Sequence, residues 1–346
     1  MLLDTHQNPI GINAAIFLVA SCAVWWGGTR LTLHVDRISH LTGLGQVFAG
    51  MLLLGVITSL PEVANVITAS SIGNPALALN NLLGSAAINI FLLAIGDTLV
   101  RAGALTSVVA SPSTLMMSVL CILVLIMIAI AVTVGDVRFL GVGVWSVSIT
   151  AVSVGSFWLA SGYGHRSSWT VSDEAEDVRD KTKSEAVLQE SLRAAIWRAG
   201  GLGLVIFLAG YALSQTGDAI AEQSGLGSGL VGFALIGIAT STPELSTVVQ
   251  SVRIRRYEMA FGQILGTNFV NLSLFVLADA VYAGGPVIGE LGQFEVLSAL
   301  IGAVLIAIFL IGLLERRDAT LGGVGYDSLT VILAFLFGLG LLAFHG

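Results

Sequence analysis

The chain has 346 residues, of which 55% are hydrophobic and 11% charged, with a mean hydropathy of +0.91 and a formal net charge of −7. Soluble domains carry roughly 25% charged residues, so this composition excludes a soluble domain. The absence of a basic patch excludes a nucleic-acid binder, and the acidic balance comes largely from loops.

Apolar runs of about 20 residues, long enough to cross the hydrocarbon core, recur along nearly the whole sequence and number about ten. The first five are predicted over Asn13–Leu33, Leu44–Ala69, Ala76–Val100, Ser111–Val134 and Leu140–Ser161. The second five are predicted over Ala194–Ala221, Leu226–Ser251, Met259–Tyr282, Val296–Leu314 and Ser328–His345. Strand patterning is absent, so the spans read as helices and the fold as an all-α membrane protein. The first run lacks a basic leader and a small-residue cleavage site, so it reads as a helix and not a signal peptide. Cys22 and Cys121 lie inside spans and read as small apolar packing residues.

The one long polar segment mixes Asp173, Glu174, Glu176, Asp177 and Asp180 with Arg179, Lys181 and Lys183. It has nothing to bury and reads as a solvated linker. Residues 1–162 then form a first five-helix half, 163–193 the linker and 194–346 a second five-helix half. Basic residues are retained on the cytoplasmic side of short loops. With Arg253, Arg255 and Arg256 placed there, alternation puts Arg37, Arg101, the linker, Arg316 and Arg317 on the same side. Only Arg138 falls opposite, and both termini are extracytoplasmic.

The sequence also repeats itself. A shift of 182 residues lays Gly43, Gly50 and Gly55 on Gly225, Gly232 and Gly237 without a gap. It carries Thr58, Ser59, Pro61 and Glu62 onto Thr240, Ser241, Pro243 and Glu244, then Gly84 and Asn89 onto Gly266 and Asn271. About a third of the positions between Gly43 and Asp97 match their partners, as in a duplicated unit. With about five spans per half, an odd number, the second copy is inverted relative to the first, and such repeats hold substrate near the bilayer midplane.

Glu62 and Glu244 are the two acids predicted deep in the membrane, where a carboxylate costs about 2.5–3.5 kcal/mol and needs compensation. Each follows a proline, which lacks an amide hydrogen and leaves the carbonyl four residues back, Ile57 or Ala239, without its helical partner. Carbonyls, hydroxyls and a carboxylate thus converge within one turn, an all-oxygen set suited to calcium or sodium. A second cluster pairs Ser85 with Asn89 and Thr267 with Asn271, four apart and therefore on one helical face each. Such residues commonly bridge membrane helices, but their recurrence at one offset favours a coordination shell. Two carboxylates neutralise one divalent ion, and when it leaves they face each other unshielded, so the empty site demands sodium ions or protons in exchange.

The paired Thr-Ser-x-Pro-Glu segments, each followed by Gly-Ser or Gly-Thr and an asparagine four residues on, resemble the alpha repeats of the sodium/calcium exchangers, within the cation/calcium antiporter superfamily. The resemblance covers both repeats, roughly a third of the chain. It implies about ten helices in two inverted halves that exchange calcium for sodium by alternating access. By motif position it implies that Glu62 and Glu244 bind calcium together with the carbonyls of Thr58 and Thr240. Ser59, Ser85, Ser241, Thr267 and Asn89 would form sodium sites. The sequence departs from the family in Ala86, where asparagine is usual, and in Asn271, where an acid is typical, which leaves the driving ion open between sodium and proton.

Asp97 and Asp279 also match under the shift, near span ends, and read as capping residues at the interface. Trp25, Trp26, Trp158 and Trp197 read as an interfacial belt. An intramembrane protease, suggested faintly by Gly96-Asp97 and Tyr326-Asp327, and a calcium channel are weaker alternatives. The expectation is therefore a multi-pass antiporter of the cytoplasmic membrane, not an enzyme. Its partners are the bilayer and its transported ions, calcium with sodium or protons; it has no cofactor, and the sequence leaves the oligomeric state open, a monomer being one option.

Overall fold

The first helix, α1, runs for 33 residues over Ile10–Thr42 and ends where Gly43 turns left-handed at φ 73°. The computed structural model describes residues 5–100, 103–109, 111–139, 141–163, 191–224, 240–316 and 320–345. α1 outruns its expected span because the stretch with His34, Asp36, Arg37 and His40 stays helical. A helix of this size is about 50 Å long against a hydrocarbon core of about 30 Å, so a polar end stands beyond the lipid. Trp25 and Trp26 consequently lie midway along α1 and not in a belt at its end.

The second span is broken as its proline predicts: α2 (Gln46–Thr58) and α3 (Leu60–Ser71) meet at Ser59 with a 40° bend. Within α2, Gly50–Gly55 winds as a π-helix, a local widening found mostly at functional sites. Helix α4 (Pro75–Asp97) starts on Asn74, whose side chain accepts from the Leu77 N–H at 3.3 Å, with Pro75 supplying the first turn. Then come α5 (Pro112–Val134) and α6 (Val144–Tyr163). The second half comprises α7 (Leu192–Gln223), α8 (Thr242–Arg253), α9 (Tyr257–Ser273), α10 (Phe275–Val281), α11 (Gln293–Glu315) and α12 (Tyr326–His345). Among the described residues 8 stretches, one of them α9 with α10, are long and apolar enough to cross a membrane, or 9 with the bent pair. Most of the expected linker, and the first part of the expected Leu226–Ser251 span, lie outside the described residues.

Two small hairpins correct the expectation that strands are absent: Arg138–Phe139 pairs with Val142–Gly143, and Thr320–Leu321 with Val324–Gly325. The first delays the start of α6 to Val144, past the expected Leu140, and the second leads directly into α12 at Tyr326. Their register shows how far the duplication reaches. The shift of 182 residues that links Gly43–Asp97 to its copy also carries Arg138–Gly143 onto Thr320–Gly325 and the whole of α6 onto α12. It likewise maps α3 onto α8, and the start of α1 onto that of α7.

The copies interleave. Helix α1 packs along α7 and α5 along α11, each helix against its own counterpart, while α1 also meets α8, α3 meets α7, α4 meets α12 and α6 meets α9. The centre is α4 and α9–α10, whose apolar stretches are 78% and 67% buried, against 22% for α1. Close approach of α2 to α9 depends on glycine: a Cβ at Gly50 would strike the Met259 carbonyl, and one at Gly262 the Val47 carbonyl. Asp97 and Asp279 bind backbone N–H groups on both copies. Trp158, Trp197 and Phe344 face outward, as expected of a surface solvated by lipid.

Candidate cation site

Helices α3 and α8 place their glutamates alike. Pro61 and Pro243 sit at the start of each helix, and Glu62 and Glu244 fall in the first turn, where the helix dipole is positive and favours a carboxylate. Because Pro61 has no N–H, the Ile57 carbonyl lacks an α-helical partner; the matching carbonyl, Ala239, lies outside the described residues.

Glu62 and Glu244 are 2% and 1% exposed and interact electrostatically with each other. Among the described residues Glu62 Oε2 and both carboxylate oxygens of Glu244 have no hydrogen-bond partner. The Thr58 hydroxyl lies beside the Glu244 carboxylate but is aligned elsewhere, 3.5 Å from the Gly55 carbonyl and 3.4 Å from the Thr267 hydroxyl. Thr267 in turn reaches the same Gly55 carbonyl at 3.5 Å. Hydroxyls from both repeats, a carbonyl from the π-helical segment and a carboxylate therefore share one place.

All the residues expected at the site are buried, none more than 4% exposed. Glu62, Glu244, Thr58 and Thr267 are brought together by the contacts just described. Thr240 lies 3.5 Å from Asn81 Oδ1 on α4, and Ser59 donates to the Gly55 carbonyl at 2.8 Å. Among the described residues Ser85, Asn89, Ser241 and Asn271 each bring a buried oxygen without a hydrogen-bond partner, so no hydrogen bond through these oxygens joins them to the glutamates. A buried polar atom without a partner is costly. Seven such oxygens on four neighbouring helices, Glu62 Oε2, Glu244 Oε1 and Oε2, Ser85 Oγ, Asn89 Oδ1, Ser241 Oγ and Asn271 Oδ1, fit a set of ligands for a cation.

Sequence reading missed two residues. Asn268, fully buried, accepts from Asn89 Nδ2 at 2.9 Å and donates to the Ala86 carbonyl at 3.4 Å, so it crosses to its own repeat counterpart and turns the Asn89 amide. Gln263, also fully buried, donates to the Thr247 hydroxyl, which contacts the carbonyls of Pro243 and Glu244 at 3.0 and 2.9 Å. That chain fixes the first turn of α8 from α9. The available signal was position: Gln263 lies one turn before Thr267 on the same face, as Asn81 does before Ser85.

Among the described residues no three His, Cys, Asp or Glu side chains cluster. The donor set is thus two carboxylates with neutral oxygens, which suits hard cations and lacks the thiolates and imidazoles that softer metals favour. A cavity of ≈ 440 Å³ opens at the end of α1 between Gly43, Gln46, Ser113 and Glu258, and reaches Met51. Met51 packs on Gly266, the residue before Thr267: a Cβ there would lie 2.7 Å from the Met51 Cα.

The whole-chain comparisons agree with this architecture. The family model described as sodium/calcium exchanger protein matches residues 12–163 and 194–344. The inner membrane protein YrbG of Escherichia coli (strain K12) is 27% identical over 286 residues, 80% of this chain and 82% of that protein. The uncharacterized membrane protein MJ0091 of Methanocaldococcus jannaschii is 23% identical over 265 residues, 75% of this chain and 79% of its own length. The solved sodium/calcium exchanger from Methanococcus jannaschii superposes with a TM-score of 0.69 at 13% identity, covering 96% of this chain and 99% of that one. The matched segments take in both helical halves and both glutamate motifs, and the chain belongs to the sodium/calcium exchanger protein family.

Proposed function

We propose that this antiporter exports calcium in exchange for sodium by alternating access, with the calcium ion held between Glu62 and Glu244. The observation that carries the reading is the pair of buried, mutually interacting carboxylates with no hydrogen-bond partner on three of their oxygens. Such a pair is stable in a membrane interior when a positive ion bridges it. The carbonyl of Thr58, that of Thr240, and the oxygens of Ser59, Ser241, Ser85, Thr267, Asn89 and Asn271 complete the shells for calcium or for the incoming ions. The ≈ 440 Å³ cavity supports an aqueous approach from the face where α1 ends.

Exchange of calcium for protons on the same two glutamates is the second reading, favoured by the neutral Asn271 in a buried position where its amide has no partner. In either case the halves 1–162 and 194–346 flank a cytoplasmic linker, 163–193, with both termini outside the cytoplasmic membrane. One chain supplies both glutamates, so a monomer is sufficient for transport. The test is calcium flux in proteoliposomes under an imposed sodium or proton gradient, repeated with Glu62→Gln and Glu244→Gln. The gradient that drives flux names the coupling ion, and undiminished flux in the double variant would refute the reading.

A further inference from the structure

Two asparagines stand in equivalent places of the repeat and are held differently. Asn89 on α4 and Asn271 on α9 coincide under the shift of 182 residues, and both are buried. Asn89 Nδ2 donates to Asn268 Oδ1 at 2.9 Å, so only its Oδ1 lacks a partner. Asn271 has neither amide atom partnered among the described residues. One position accounts for the difference. Asn268 stands three residues before Asn271, and its counterpart three residues before Asn89 is Ala86, whose methyl group can bond to no amide.

The direction of the Asn268 amide is set by backbone. The Ala86 carbonyl can only accept, so the atom that meets it at 3.4 Å is Asn268 Nδ2. Oδ1 is then the atom left for Asn89, and because it too can only accept, Asn89 must offer Nδ2. A flipped Asn89 would set two amide oxygens against each other, which is costly for buried groups. The Cys121 thiol of α5 also interacts with Asn268, so three helices converge on this side chain.

We propose that Asn268 is a positioning residue for ion binding: it locks the Asn89 amide with Oδ1 left free for a cation, while Ala86 in the equivalent place leaves Asn271 unlocked. The proposal rests on the reading in which Asn89 belongs to the ion shell beside Glu62 and Glu244. An unlocked amide can turn its N–H₂ group toward a cation, and that group repels the ion where the oxygen would bind it. Asn268 removes that choice for Asn89. The two repeats therefore contribute unequal amides to a pseudo-symmetric site, one fixed and one able to rotate. A buried asparagine commonly does no more than bridge membrane helices, so the test must separate action through Asn89 from plain packing.

The experiment uses the whole protein in proteoliposomes and compares Asn268→Ala, Asn89→Ala and the double variant with wild type. The quantities read are the half-maximal concentrations of calcium and of the driving ion, beside the maximal rate. Asn268→Ala should raise the same half-maximal concentration that Asn89→Ala raises, by roughly 10-fold, as the loss of a ligand's supporting partner does. The double variant should match Asn89→Ala alone, because a residue acting through Asn89 has nothing left to hold. Where Asn268→Ala does not fold, Asn268→Leu fills similar volume without either hydrogen bond and carries the same expectation. Multiplying effects in the double variant, or a fall in maximal rate alone, would overturn the positioning role and leave the antiport reading standing. Unchanged half-maximal concentrations in Asn89→Ala would remove Asn89 from the shell and the role of Asn268 with it, with wild-type flux still upholding the antiport. Absence of gradient-driven calcium movement in the wild type would refute both.

Discussion

Asp97, the last residue of α4, accepts the Gly325 N–H at 2.7 Å, so the first half holds the hairpin that opens α12 in the second. The shift of 182 residues returns the favour in full: Asp279 accepts the Gly143 N–H at 2.5 Å, and the local bonds to Leu105 and Val287 correspond as well. Each aspartate therefore gathers a loop of its own repeat and a hairpin of the other. An amide oxygen cannot match a carboxylate that accepts two N–H groups, and a buried donor left unmet costs about 1–3 kcal/mol. Asp97→Ala and Asp279→Ala should each lower the thermal unfolding midpoint in detergent, with Asp97→Asn and Asp279→Asn milder. Unchanged midpoints in both alanine variants would remove these residues from the interface account.

Steric constraint gives an independent prediction. A methyl group at Gly50 or Gly262 meets backbone that cannot swing aside, and overpacking of this kind costs about 1–3 kcal/mol. Gly50→Ala and Gly262→Ala should both reduce stability and expression of folded protein. Gly45→Ala is the matched control, because its added Cβ meets nothing within 4 Å and its φ of −60° suits alanine. Equal behaviour of all three would show that α2 and α9 have room to separate.

The duplication makes part of the fold and of the candidate site legible in the sequence. Glu62 and Glu244 announced themselves because each is an isolated acid in an apolar run and the two coincide under one shift. The break at Ser59 followed from Pro61. Asn268 escaped because its counterpart is Ala86, so the repeat is silent where this side chain reaches across to its own counterpart. The hairpins escaped because two-residue strands are too short for any alternation to register. The length of α1 escaped because hydropathy ends at the charged stretch near Asp36, whereas the helix continues to make an ion pair there, Asp36 Oδ1 to Arg256 Nε at 2.6 Å.

The chain from Gln263 through Thr247 to the backbone of Glu244 makes Gln263 a positioning residue. Supporting partners of metal ligands typically contribute 10- to 100-fold to affinity, by about that order. Gln263→Leu and Thr247→Val should each raise the calcium concentration for half-maximal flux by roughly 10-fold or more, with a smaller change in maximal rate. The conservative Thr247→Ser keeps the hydroxyl and should restore most of the affinity. An equal loss in Thr247→Ser and Thr247→Val would point to packing and not to the hydrogen bond.

The last prediction separates a cation site from a merely buried pair. Without a bound ion, two unpaired carboxylates repel and oppose folding, so Glu62→Gln or Glu244→Gln should raise the unfolding midpoint of the protein held in a chelator. On the proposed reading calcium binds only the folded site, and at about 100 times its dissociation constant it should stabilise the wild type by about 2.7 kcal/mol. The same calcium should stabilise neither glutamine variant appreciably, since each has lost half the charge that neutralises the ion. If the glutamates served packing alone, the signs would reverse: glutamine would destabilise the chelated protein by leaving the arrangement of α3 against α8 unsupported, and calcium would shift all three proteins alike or not at all. Two midpoints per protein, with and without calcium, therefore distinguish the two roles without requiring transport to be measured.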